Sequence, residues 1–111
     1  MGPGVNQGDF YWYTFRPPDK RRPVLVLTRD SALGFLTSVT VAPITSMVRG
    51  IPTEVALSFA EGIPGECAVN CDNIQTVARV SIGPFVARLS RDKMKAVRAA
   101  IEFALGFDAV E

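Results

Sequence analysis

Apolar and polar positions keep a two-residue beat through most of this chain and change to a helical beat only at its end. Regular pattern begins after Gly8, where Asp9 to Phe15 carries aromatics on both alternating faces, Phe10 and Trp12 on one and Tyr11, Tyr13 and Phe15 on the other. A strand apolar on both faces is covered on both, and in a small protein a subunit interface is a natural second cover. "RPPDK" follows as a loop, because Pro17 and Pro18 supply no ladder donors. Pro23 to Thr28 is a continuous Val-Leu-Val-Leu run and predicts a central, buried strand, after which Asp30-Ser31 is placed to cap a short helical turn. "SVTVAPI" alternates toward a third strand, stopped at Pro43, and Thr53 to Leu57 gives a fourth. Beyond the turn-forming loop "EGIPGE", the segments "CAVNC" and "NIQTV" read as a strand pair or as one long bent strand. Gly83-Pro84 precedes a last strand from Phe85 to Leu89. Strand runs at short spacing, punctuated by Gly and Pro, predict a mostly β fold, a small antiparallel barrel or sandwich.

The beat then becomes helical. Ser90 is a good N-cap, Asp92 favours the positive end of the helix dipole, and Met94, Val97, Ile101 and Leu105 recur at helical spacing. Gly106 is a natural stop. The expected result is a C-terminal amphipathic helix laid on the barrel, with its Lys/Arg side in water. There is no internal repeat and no linker, so the organisation predicted is a flexible N-terminus over 1–7 and a single domain over 8–111.

Composition adds limits. A 48% hydrophobic content suffices for a packed core, and no apolar run approaches the roughly 20 residues that span a bilayer. Met1 to Gly4 carries neither the basic stretch nor the apolar core of a signal peptide, so a cytoplasmic protein without membrane contact is expected. Net charge is only +1, yet Arg16, Lys20, Arg21, Arg22, Arg29 and Arg49 crowd the first half while most acidic residues lie further on. A focused basic patch attracts polyanions even on a near-neutral protein. Cys67 and Cys71, if on one strand, lie roughly 13 Å apart on the same face, too far for a disulfide. Cys67, Val69 and Cys71 are then core residues alternating with outward Ala68 and Asn70.

The available chemistry is narrow. Without histidine there is no Ser-His-Asp or Cys-His nucleophile system, and two cysteines alone make no zinc site. There is no P-loop, GxGxxG or HExxH. Catalysis, if present, rests on positioning and electrostatic stabilisation, for which the planar, permanently charged arginine fork suits phosphate. Two places offer it. Arg22 stands at the start of the buried strand, and Thr45 and Ser46 follow a strand end in "APITS". An arginine before proline at a strand start is usually an edge residue, and a threonine after a strand usually satisfies its own backbone in a local turn.

Taken together, "GDFYWYTF" (8–15), "RRPVLVLT" (21–28), "VTVAPITSMVR" (39–49), "PTEVAL" (52–57), "CAVNCDNIQTV" (67–77) and "RLSRDKMKAVRAAIEFALGF" (88–107) resemble the MazF/PemK family of toxin endoribonucleases, in family order and across nearly the whole chain. The resemblance implies an SH3-like barrel of antiparallel strands with short helical turns and a C-terminal helix, assembled as a homodimer. It implies the toxin of a type II toxin–antitoxin system that cleaves single-stranded RNA, usually mRNA, at short sequences without metal or cofactor, leaving 2′,3′-cyclic phosphate and 5′-hydroxyl ends. The implied catalytic residues are Arg22 and Thr45. Arg16, Lys20, Arg21, Ser46 and Asn73 are the implied RNA-binding residues, with Arg16 to Arg21 as a mobile substrate loop. The implied partner is an antitoxin whose acidic and apolar C-terminal tail fills the RNA groove.

The chain departs from the family pattern at Arg29-Asp30, where Asn-Asp is common, and at Asn73 and Gln75 in "DNIQT", where "DQIRT" is common. Two other classes compete. A CcdB-like toxin shares the fold and binds DNA gyrase without cutting RNA, but relies on a C-terminal Trp-Gly-Ile where this chain ends Phe107-Asp108-Ala109-Val110-Glu111. A catalytically silent barrel that only binds an antitoxin-like tail would have no need of both Arg22 and Thr45.

Overall fold

The computed structural model describes residues 4–17, 20–58, 61–63 and 65–109. Among the described residues, seven strands form one curled antiparallel sheet, a half-barrel: β1 (Asp9–Thr14), β2 (Arg21–Val26), β3 (Ser38–Thr45), β4 (Glu54–Leu57), β5 (Cys67–Asn70), β6 (Gln75–Ala78) and β7 (Phe85–Arg88). A short helix α1 (Asp30–Leu33) links β2 to β3, and α2 (Arg91–Ala104) closes the chain. Strand order is β4-β5-β3-β2-β1-β7, with β6 also on β3. Among the described residues no helix is long and apolar enough to cross a membrane.

The double-sided β1 is covered on both faces by its own chain. Phe10 is fully buried with Leu25, Ala42, Ile44, Val69 and the α2 residues Val97 and Ala100. On the opposite face Tyr11 joins Val24, Val26, Val39, Val41 and Val77, with Leu33 of α1 and partly buried Val5, Tyr13 and Phe15 alongside. The aromatic pattern therefore does not itself require a subunit interface. In the N-terminal stretch, residues 1–3 lie outside the described residues; Gln7 donates its N–H to Asp30 Oδ1 at 2.8 Å and its side-chain amide to Leu27 O at 2.9 Å.

Several expected boundaries move for identifiable reasons. β2 begins at Arg21 rather than Pro23, because the β1–β2 hairpin pairs Thr14 with Arg21, Tyr13 with Arg22 and Trp12 with Pro23. Pro43 does not stop β3, which runs to Thr45. Along one edge β3 pairs with β6 through Val41 and with β5 from Ile44 onward, so on that edge no strand partner stands opposite Pro43. A residue without N–H is tolerated at such a gap. "CAVNC" and "NIQTV" are one bent path, broken by a 3₁₀ turn at Cys71–Asn73.

Ala68 and Asn70 are buried rather than outward: all four residues of β5 are enclosed, so both of its faces are covered. Asn70 is accommodated because its side chain accepts the Asp72 N–H at 3.0 Å, meeting the need of a buried polar group for a partner. Both cysteines are free and buried. Asp30 does not cap α1: the N-cap is Arg29, with no side-chain hydrogen bond, and the Asp30 carboxylate is engaged with Gln7 instead.

The C-terminal helix follows its sequence signals more closely. Ser90 accepts the Lys93 N–H at 3.2 Å, and Gly106 takes the left-handed φ of +79° that lets the chain leave the helix. Leu105, expected in the apolar stripe, is 56% exposed because the helix has ended at Ala104 and Leu105 is its C-cap.

Candidate functional site

The site is assembled where the start of β2 meets the end of β3. β2 pairs with β3 as Val24 to Pro43, Leu25 to Ala42 and Val26 to Val41. That pairing brings the start of β2 to the end of β3, where the Arg22 side chain reaches the residue before Thr45. Arg22 is half-buried, and its Nη1 donates to the Ile44 carbonyl at 3.4 Å. Its guanidinium also stands 5.9 Å from the centre of the Phe15 ring. A long side chain held at its base by a sheet and at its tip by a carbonyl loses little further entropy when it meets an anion.

Thr45 makes the local turn that its position allows: Oγ1 accepts the Met47 N–H at 3.1 Å. A hydroxyl carries two acceptor sites and one donor. Accepting from Met47 fixes the oxygen and leaves the O–H to donate outward. The turn and a role toward an anion are therefore compatible.

A cavity of about 220 Å³ lies beside these residues, lined in part by Lys20, Arg22 and Ser46. The remaining expected site residues are placed differently. Arg21 belongs to β2 rather than to a loop, and its guanidinium stacks over the Trp12 ring at 4.3 Å. Arg16 is exposed in the β1–β2 loop, and Pro18 and Asp19 of that loop lie outside the described residues. Asn73 is exposed on the 3₁₀ turn and, like Thr45, is not part of the cavity wall.

Four wall residues carry no signal in the sequence pattern: Trp12, Ile63, Glu66 and Cys67. Each looks like a strand or loop residue until the fold places Ile63, Glu66 and Cys67 on the same cavity wall as Arg22. Cys67 is no nucleophile here. Burial, with Glu61 adding to it, pushes its thiol up, and burial pushes the Cys71 thiol up to about 11, so both stay protonated at neutral pH.

Fold and site define a class: a small curled β-sheet protein with one C-terminal helix and a cavity lined by lysine, arginine and a hydroxyl. The comparisons carry this to a family. Residues 6–105 match the family model of the PemK-like, MazF-like toxin of type II toxin–antitoxin systems. The chain is 42% identical over 92 residues to endoribonuclease MazF3 of Mycobacterium tuberculosis, covering 83% of this chain and 89% of the relative. The solved structure of the Mycobacterium tuberculosis toxin MazF-mt6 superposes with a TM-score of 0.82 at 38% identity, covering 88% of this chain and 96% of that one. A MazE–MazF crystal structure from Deinococcus radiodurans gives a TM-score of 0.80 at 28% identity, covering 94% and 98%. The chain belongs to the PemK-like, MazF-like toxins of type II toxin–antitoxin systems, a family of RNA-cleaving toxins. The relatives are MazF endoribonucleases, which decides against the CcdB-like alternative.

Proposed function

We propose that this toxin cleaves single-stranded RNA, mRNA foremost, at short sequences by internal transesterification, with Arg22 and Thr45 as its catalytic residues. The ribose 2′-oxygen attacks the adjacent phosphorus, the P–O5′ bond breaks, the 2′-hydroxyl proton is lost and the 5′-oxygen gains one. The products are a 2′,3′-cyclic phosphate and a 5′-hydroxyl, formed without a metal ion. Charge accumulates on the non-bridging phosphorane oxygens, and preorganised donors aimed at that charge are the largest single source of rate. Arg22 supplies a guanidinium held by β2 and the Ile44 carbonyl, and Thr45 supplies the O–H that its turn with Met47 leaves free to donate. The hydrogen bond from Arg22 to the carbonyl of Ile44, the residue before Thr45, is the observation that carries the reading. Lys20, Arg21, Arg16 and Ser46 hold flanking phosphates, and Asn73 meets the RNA further along.

A 2′-O-methyl group at the nucleotide 5′ to the cut tests this directly, since it removes the attacking hydroxyl. The expected result is loss of cleavage at that bond alone, with neighbouring sites on the same RNA still cut. Undiminished cutting at the methylated position overturns the mechanism.

The family resemblance also carries two partners to this chain. One is a cognate antitoxin with an acidic and apolar tail that occupies the RNA path. The other is a second copy of the toxin. Support for the second copy is a surface that leaves Phe35 70% and Val80 96% exposed, on segments joined where Arg79 bonds to the Leu33 and Thr37 carbonyls. Sedimentation equilibrium is expected to return twice the 12.0 kDa chain mass; a monomer at micromolar concentration contradicts it.

A further inference from the structure

We infer that the cavity beside Arg22 is a base-selecting subsite in which the Glu66 carboxylate accepts from the amino group of a nucleobase, favouring adenine, cytosine or guanine over uracil. The inference rests on the RNA-cleaving reading above and concerns what decides where the toxin cuts.

The cavity wall carries two unlike sets of residues. One presents Lys20, Arg22 and Ser46, a set suited to a phosphate. The other presents the apolar walls Trp12 and Ile63, together with an exposed Glu66. A pocket for phosphate alone has no use for a carboxylate, which repels the anion that the cations attract. Among the described residues, Glu66 is the only carboxylate that lines this cavity. Its position is held by the sheet, because the next residue, Cys67, begins β5 and pairs with Leu57 of β4.

A carboxylate accepts hydrogen bonds and donates none, so its partner must donate. The edges of adenine and cytosine offer an exocyclic amine, and guanine offers an N–H beside an amine. Uracil offers a single N–H between two carbonyl oxygens, both of which face the carboxylate unfavourably. Carboxylate side chains accordingly accept from amino groups when they read bases. Single-stranded RNA recognition splays a base out, packs its faces against aromatic or apolar side chains and reads its edge. Trp12 and Ile63 supply the packing surfaces and Glu66 the reading atom, within one cavity that also contains Arg22. Backbone geometry reinforces the position of Trp12, whose carbonyl accepts the Gly83 N–H at 2.8 Å. A Cβ on Gly83 would lie 2.8 Å from that same oxygen, so only glycine allows this approach.

The test digests a long unstructured transcript with the wild-type toxin, E66Q and E66A, and sequences the nucleotides that flank every cut. In the wild type, uracil is expected to be depleted about 10- to 100-fold at one flanking position, the discrimination that one good base contact provides. E66Q replaces two acceptors by a donor beside an acceptor, which matches the uracil edge. Uracil at that position is therefore expected to rise about 10-fold relative to wild type, while E66A loses preference there. If Glu66 only steadies Lys20 or Arg22, both variants cut more slowly with unchanged flanking preferences, and the inference is overturned while the endoribonuclease reading stands. A wild-type protein that cuts no RNA overturns that reading, and the inference with it.

Discussion

Arg22→Ala is expected to cleave single-stranded RNA about 10³-fold more slowly than wild type while keeping its fold. Removing one preorganised donor from a developing oxyanion typically costs a factor of 10² to 10³, and arginines that neutralise a phosphoryl transition state contribute about 10³ or more. Arg22 makes no large contribution to the core, being half-buried at the start of β2 with its side chain bonded to Ile44 O. Its loss should therefore fall on kcat rather than on stability. Arg22→Lys keeps the charge but loses the planar fork and is expected to recover only part of the rate. Single-turnover cleavage of one oligonucleotide by the three proteins checks this. Equal rates for wild type and Arg22→Ala would remove Arg22 from the mechanism.

The largest expected effect on stability belongs to Phe10. It heads the fully buried side chains at 0% exposure, and it joins β1 to Leu25 of β2, Ile44 of β3 and Val97 of α2 in one cluster. Phe10→Ala removes the ring and leaves a cavity at the junction of sheet and helix, at a cost of about 3–5 kcal/mol. Domains of this size have about 5–15 kcal/mol in total, and each kcal/mol moves the melting temperature by about 4–8 °C. The variant is expected to melt at least about 12 °C below wild type, or not to fold. Phe107→Ser, at a ring 59% exposed and outside both core clusters, is the matched control and should melt close to wild type. A small shift for Phe10→Ala in thermal or urea unfolding would contradict the packing described.

What could be read from the sequence was whatever depends on neighbours along the chain. The buried Val24-Leu25-Val26 run, the Ser90 cap and the Gly106 exit all follow from local sterics and hydrogen bonding, and all stand in the structure. What depends on a distant partner was less accessible. Pro43 looks like a strand stop until β5 and β6 are seen to leave a gap opposite it. Asp30 looks like a helix cap until Gln7 arrives from the N-terminal stretch to take its carboxylate. Ala68 and Asn70 look outward until both faces of β5 are seen to be covered.

The candidate site divides the same way. Arg22 and Thr45 were visible as residue types and by family resemblance, but the approach of Arg22 to the residue before Thr45 depends on the β2–β3 pairing. Among the flanking cations, Arg21 proved to be a strand residue stacked on Trp12, whereas Lys20 lines the cavity with Arg22. Glu66 gave no signal at all. It sits in a stretch rich in turn formers, and only the fold puts its carboxylate on the same cavity wall as the arginine.

The central claim is that RNA is cut by its own 2′-hydroxyl at Arg22, without a metal. Its most direct measurement is the chemistry of the ends made from a defined transcript in excess EDTA. Undiminished cutting is expected, with a 2′,3′-cyclic phosphate on the upstream product and a free 5′-hydroxyl that polynucleotide kinase labels without prior phosphatase. Cutting that stops in the chelator, or downstream products that carry a 5′-phosphate, would contradict it.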